Sequence, residues 1–129
     1  MSGRYLLDTN IIIALFAGET LVQEKLAEAD EVFVPAIAIG ELYFGAHKSA
    51  RPQENLLTID EFAANTIVLG CDSGTARQYG AIKHKLLASG HPLPENDIWI
   101  AAIAMQHNLI VVTRDSHFEQ IESLEIAAW

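Results

Sequence analysis

Four carboxylates, Asp8, Glu41, Asp97 and Asp115, each sit beside or within a strongly apolar run, where an unpaired charge is costly unless a cation shares the site. Asp8 ends the run Tyr5-Leu6-Leu7, and Asp115 follows Leu109-Ile110-Val111-Val112-Thr113-Arg114. Two expected strands thus deliver acids at their C-terminal ends, where open α/β sheets bind ligands. Glu41 has Ile37, Ala38, Phe44 and Gly45 one helical turn away, so its own helix face is apolar, unlike that of a surface helix. Each acid also has a plainer reading. Asp8 with Thr9 and Asn10 makes a good helix-capping cluster, and Asp97 fits a first helical turn, where carboxylates complement the dipole. Asp115 fits an Asx turn or a cap, and Glu41 fits a core-margin acid paired with Lys or Arg. One divalent ion accounts for all four together. Ligation by carboxylate oxygens alone suits Mg²⁺ or Mn²⁺ with several waters retained, whereas zinc favours His or Cys.

The elements that must position these acids follow from periodicity. Residues 4–7 read as a buried strand, followed by an apolar helical stretch from Ile11 to Phe16 and, after Gly18, an amphipathic helix through Leu21, Val22 and Leu26. Val32-Phe33-Val34 is a short strand stopped by Pro35, and Ala36 to Ala46 is apolar enough for a largely buried helix. Pro52 suits the first turn of another helix, leading to a strand at Thr66–Leu69, and Ser73 suits the cap of the next helix, which stops at Gly90. From Asn96 a helix runs to His107-Asn108, then come an apolar strand, a short helix over Ser116–Ile121 and a last strand at Leu124–Trp129. Apolar strands alternating with helices indicate a mainly parallel sheet covered on both faces, an α/β/α sandwich.

A chain of 129 residues with 50% hydrophobic content is long enough for one core and too short for two ordinary domains, so one domain over residues 1–129 is expected. No apolar stretch approaches the roughly 20 residues of a membrane span, and the N-terminus lacks a signal-peptide layout, so a soluble, cytoplasmic protein is expected. The single cysteine, Cys71, is expected to be semi-buried and inert. The histidines, His47, His84, His91, His107 and His117, show neither ligand spacing nor pairing with a nucleophile, which argues against Ser-His-Asp or Cys-His catalysis. A net charge of −9 argues against a generic nucleic-acid binder but not against a nuclease, because a divalent ion inverts the sign of an acidic pocket.

At this point the residues resemble a known family. Leu7-Asp8-Thr9-Asn10, Ile39-Gly40-Glu41-Leu42, Asn96-Asp97-Ile98-Trp99-Ile100-Ala101-Ala102 and Val112-Thr113-Arg114-Asp115 look like the acidic motifs of the PIN domain, specifically of VapC-type toxins of toxin–antitoxin pairs. The four stand in the right order over essentially the whole chain. The resemblance implies a PIN-like fold and a Mg²⁺- or Mn²⁺-dependent endoribonuclease with Asp8, Glu41, Asp97 and Asp115 as its acidic metal site, supported by Thr113 and Asn10. It also implies a homodimer and a tight-binding antitoxin, a segment of which covers or enters the acidic pocket.

Such an ion supplies activated water and neutralises charge on the phosphate, so no protein nucleophile is required, and the expected products are a 5′-phosphate and a 3′-hydroxyl. Asp8 and Asp97 are expected as direct ligands, Glu41 as a direct or water-mediated one, and Asp115 as a second-site ligand or water orienter. Arg77, His84, Lys85, Lys48 and Arg51 are candidate phosphate contacts, each with a solvated face as its plain alternative. Arg114 beside Asp115 equally fits an ion pair with it. Two rivals remain: a receiver-like signalling domain with an acidic Mg²⁺ pocket, and a PIN-like binding module without catalysis.

Overall fold

The computed structural model describes residues 3–129. Its elements are β1 (Arg4–Leu7), α1 (Thr9–Phe16), α2 (Thr20–Glu28), β2 (Glu31–Pro35), α3 (Ala36–His47), α4 (Pro52–Ala64), β3 (Ile67–Leu69), α5 (Ser73–Ala88), α6 (Glu95–His107), β4 (Ile110–Val112) and β5 (Ile126–Ala127), with a 3₁₀ turn at Ser116–Gln120. All four strand pairings are parallel, in the order β3-β2-β1-β4-β5. The expected α/β/α sandwich is therefore present, with a sheet that is parallel throughout its described length.

Alternation along the strands splits the core into two layers, because successive side chains point to opposite faces. Leu6, Phe33 and Val111 pack with α5 and α6, through Ile82, Leu86, Ile98 and the run Ile100–Ala104. Leu7, Val34 and Val112 pack on the other face with α1 to α4, through Ile11, Ile12, Val22, Ala38, Leu42 and Ile59. Asn108 ends α6 in the left-handed region (φ 54°, ψ 51°), and the Leu109 amide donates to Ala104 O at 2.9 Å. That αL stop turns the chain directly into β4.

The strand order places a topological switch point between β1 and β4. From β1 the chain moves outward through β2 to β3 and then returns to the other side of β1, so the crevice opens where the two central strands end. Leu7 of β1 is in register with Val112 of β4. Asp8 follows the first of these residues directly, and Asp115 follows the second by three positions.

Several local expectations are corrected. Asp72, not Ser73, caps α5: its side chain accepts from the Thr75 amide, and the Thr75 hydroxyl accepts from the Asp72 amide. A carboxylate followed three residues later by a buried hydroxyl closes a reciprocal box that Ser73 cannot. Cys71 is exposed rather than semi-buried, since it lies in the loop beyond an edge strand. What burial it has, with the neighbouring Asp72 charge, still holds its thiol above the usual range. The last strand is shorter than expected, because only Ile126 and Ala127 pair with β4 before Trp129 turns onto Tyr5 in an edge-on contact at 5.1 Å.

Candidate metal centre

Asp8 is both a cap and a candidate ligand. It closes the N-terminus of α1, accepting from the Thr9 amide on Oδ1 at 2.8 Å, while Oδ2 accepts from the Thr113 hydroxyl at 2.8 Å. Only 5% exposed, it has its pKa lifted chiefly by burial. The Thr113 and Thr9 hydrogen bonds oppose that rise, and the negative charges of Glu41 and Asp115 add to it.

Asp97, in the first turn of α6, carries the largest perturbation of the group. Its carboxyl is pushed up to about 6 by burial first and then by Asp8, Asp115 and Glu41, with His117 pulling in the opposite direction. Three like charges near one half-buried carboxyl leave protons or a cation as the means of relief.

Asp115 caps the 3₁₀ turn, its Oδ1 accepting from the His117 amide at 2.9 Å, and its own amide donates to Thr113 Oγ1 at 2.9 Å. Thr113 is buried, and its one hydroxyl thereby ties the ends of β1 and β4 together across the switch point. Asn10 acts on the same segment, its Oδ1 accepting from the Arg114 amide at 3.3 Å.

Arg114 does not pair with Asp115. Its guanidinium reaches both oxygens of Glu19, at 2.7 and 3.2 Å, and donates through Nε to Trp129 O at 2.9 Å. The planar fork is satisfied by the loop after α1, which leaves the acids without that cation. Asp115 instead has His117, whose Nδ1 lies 3.0 Å from Oδ1.

Glu41 stands at the rim. It is exposed, and its Oε1 accepts from the Thr9 hydroxyl at 2.9 Å instead of meeting Lys or Arg. Of the apolar neighbours expected to make this helix face buried, Ala38 is in the core and Ile37 half-buried, but Phe44 and Gly45 on the following turn are open, Phe44 at 64%. Periodicity reports that a face is apolar but not whether the same chain covers it.

All four acids therefore lie within electrostatic reach of one another, and the tightest grouping joins Asp97, Asp115 and His117, whose ligand atoms fall within 4.8 Å of one another. Oxygen-rich, half-buried and strained by its own negative charge, this donor set fits a hard divalent ion. His117 was not among the candidate residues, because His-to-His spacing is blind to a lone imidazole two residues after an acid. A turn directly after a strand end was the available signal.

A cleft of about 410 Å³ runs from Glu41, the one acid of the four in its wall, along α1, α3 and α4, lined by Thr9, Ile13, Phe16, Leu42 and Ile59 among others. A second, of about 450 Å³, lies beside α5 and the end of α6, with Lys85, Met105 and Ile121 in its walls, and includes none of the four acids. Lys48 sits over the Phe44 ring at 4.3 Å, two turns along α3 from Glu41, whereas Arg51 pairs with Glu54 at 3.4 Å. Arg77, His84 and Lys85 are exposed on α5.

Comparison with known proteins gives a consistent result. The chain is 34% identical over 129 residues to the protein named Ribonuclease VapC2 from Haemophilus influenzae, covering 98% of each chain. It is 31% identical over 129 residues to the tRNA(fMet)-specific endonuclease VapC of Shigella flexneri, again over 98% of each. A crystal structure of DNA-bound VapBC from Salmonella typhimurium contains a similar chain, with TM-score 0.91, 30% identity and 98% coverage of both. Another, of VapBC-1 from nontypeable Haemophilus influenzae, matches with TM-score 0.88 at 27% identity, covering 100% of this chain and 98% of that one. Residues 5–124, from β1 to beyond the acid that ends the series, match the PIN domain model. On that match and those full-length likenesses, this chain belongs to the PIN domain family as a VapC-type member.

Proposed function

We propose that the chain is a Mg²⁺- or Mn²⁺-dependent endoribonuclease, the toxin of a VapBC-type pair, with Asp8, Glu41, Asp97 and Asp115 as its metal-binding acids. One observation carries the reading: Asp97, with its carboxyl near 6 among three further carboxylates, sits where a parallel α/β sheet opens its crevice. The relatives named ribonuclease and endonuclease support the reaction class. When bound, the ion supplies a more acidic water and neutralises charge at the scissile phosphate.

The chain's own residues divide the remaining work. Thr113 and the Thr9 amide hold Asp8 by both oxygens, so a ligand there loses little rotamer freedom on binding. Thr113 also fixes the turn that presents Asp115, and Asn10 holds the Arg114 amide within that turn. Glu41 closes the rim through Thr9. Lys48, the C-cap of α3 two turns from Glu41, would meet a phosphate of a strand lying along that helix.

The cleft beside Glu41 suits the antitoxin. Ile13 is 55% exposed and Phe16 39%, an apolar floor that an amphipathic partner segment would cover while its end reaches the acids. The VapBC neighbours support such a partner. Pairing of two copies, a cytoplasmic location and a single domain over 1–129 belong to the same proposal. Exposed Ile67 and Val68 on edge strand β3 offer an apolar surface for that pairing, which size-exclusion with light scattering tests directly. No helix among the described residues is long and apolar enough to cross a membrane.

The deciding experiment is cleavage of total RNA by antitoxin-free protein with Mg²⁺ or Mn²⁺, with chelator controls, beside Asp97→Asn, followed by mapping of product ends. Metal-dependent cutting lost in the variant, leaving 5′-phosphates, is expected. Equal cutting by both proteins would remove the acids from the chemistry, and no cutting by either would favour the non-catalytic binding module. The receiver-like alternative falls with the family match.

A further inference from the structure

We infer that His117 is a metal ligand of this site: its imidazole joins Asp97 and Asp115 to make a mixed nitrogen–oxygen position that favours Mn²⁺ over Mg²⁺. The inference rests on the metal-dependent reading above and deepens it by naming a donor and a metal preference.

The geometry is close to that of an occupied site. For a six-coordinate ion with bonds of about 2.1 Å, adjacent ligands lie about 3 Å apart and opposite ones about 4.2 Å. Nδ1 of His117 and Oδ1 of Asp115 are 3.0 Å apart, and the three ligand atoms of Asp97, Asp115 and His117 fall within 4.8 Å of one another.

The backbone beneath the imidazole is fixed. His117 belongs to the 3₁₀ turn capped by Asp115, and the next residue, Phe118, is wholly buried in the α5–α6 layer. Phe118 pins the turn while His117, with a 57% exposed side chain, sets its Nδ1 against the Asp115 carboxylate. Either tautomer leaves a ring nitrogen with a lone pair. A proton on Nδ1 donates to Asp115 and frees Nε2, in the carboxylate–histidine–metal arrangement; a proton on Nε2 sets Nδ1 beside the carboxylate as a second donor.

The chemistry then sets the preference. Mg²⁺ holds an oxygen shell and its waters tightly, whereas imidazole suits transition metals, and Mn²⁺ accepts both donor types. A neutral nitrogen also adds a ligand without adding a fifth negative charge to a site already crowded with four.

The test uses the full chain and Mn²⁺ as the probe. Pulsed electron paramagnetic resonance of the Mn²⁺-loaded protein is expected to show ¹⁴N coupling that vanishes in His117→Gln and persists in His84→Gln. By titration, His117→Gln is expected to weaken Mn²⁺ about tenfold and Mg²⁺ far less. Should His117→Gln fail to fold, wild type labelled with ¹⁵N-histidine gives the same reading, as the ¹⁴N pattern changes to ¹⁵N only if a histidine is bound. Mn²⁺ that binds in an Asp97-dependent way without nitrogen coupling overturns the inference and leaves the nuclease reading standing. Absence of any Mn²⁺ binding overturns both.

Discussion

The Thr113 hydroxyl serves both sides of the switch point, donating to Asp8 and accepting from the Asp115 amide. Thr113→Val keeps the shape and removes both bonds, leaving a buried carboxylate short of a donor. Denaturant unfolding is expected to show a loss of about 1–3 kcal/mol, and RNA cleavage should fall with it. Asp97→Asn should act in the opposite direction on the metal-free fold. The Asp97 carboxyl titrates near 6 when folded and near its ordinary value of 3.8 when unfolded, so between those values the folded state binds more protons. Stability from this group is therefore greatest at low pH, falls as pH climbs from about 4 to 6, and stays low above that. The variant's melting advantage should thus be near zero at pH 4 and reach on the order of 1 kcal/mol at pH 7 to 8, after allowing for solvent screening of a half-exposed group. A variant less stable than wild type at pH 8 would contradict it. These residues were legible because acids at the ends of apolar runs are unusual. Asp8 was ambiguous between cap and ligand for a physical reason: one carboxylate has two oxygens, and only Oδ1 is taken by the cap.

Asp97 depends on the first turn of α6, and α5 holds that turn. Trp99 stacks on Tyr79 with ring centroids 4.0 Å apart, the Tyr79 hydroxyl donates to Glu95 at 2.6 Å, and Lys83 pairs with Glu95. Trp99→Ala is expected to cost about 1–3 kcal/mol and to speed hydrogen exchange at Asn96 to Ile98, with cleavage reduced more than Mn²⁺ affinity. Lys83→Met, at an exposed pair, should leave melting nearly unchanged. Element order and type were readable from periodicity, as in α6, whose Ile98 to Ala104 run turns sharply into β4. Element exposure was not. The strand at Thr66–Leu69 reads as part of a sheet covered on both faces because Ile67, Val68 and Leu69 are all apolar, yet β3 is one edge of the sheet, with Ile67 half open. Edge position depends on the order in which strands assemble, which local pattern does not encode.

At the scale of the whole molecule, exposed apolar surface and an acid share one cleft, where Ile13 and Phe16 stand beside Glu41. Under the nuclease reading, a chain of net charge −9 must hold RNA with few cations, and Lys48, the C-cap of α3, stands two turns from Glu41. Lys48→Ala should lower kcat/KM and reduce the slope of log affinity against log salt by about 0.7, the value of one phosphate contact to a single strand. An unchanged slope would place the strand elsewhere. Ile13→Glu, on the apolar cleft, is expected to weaken an antitoxin by about tenfold or more while cleavage by the free protein stays within about twofold. Loss of cleavage instead would make that floor part of the substrate path.

The acids are dispersed along the polypeptide, one per region, and the strand that leads to the last of them is threaded beside the first strand only after most of the chain has been made. A ribosome making this protein therefore holds an unfinished copy in which Asp115 has yet to emerge while Asp8, Glu41 and Asp97 precede it. Under the nuclease reading, cutting is therefore a property of the folded chain and of no shorter stretch of it, since no one region carries all four acids.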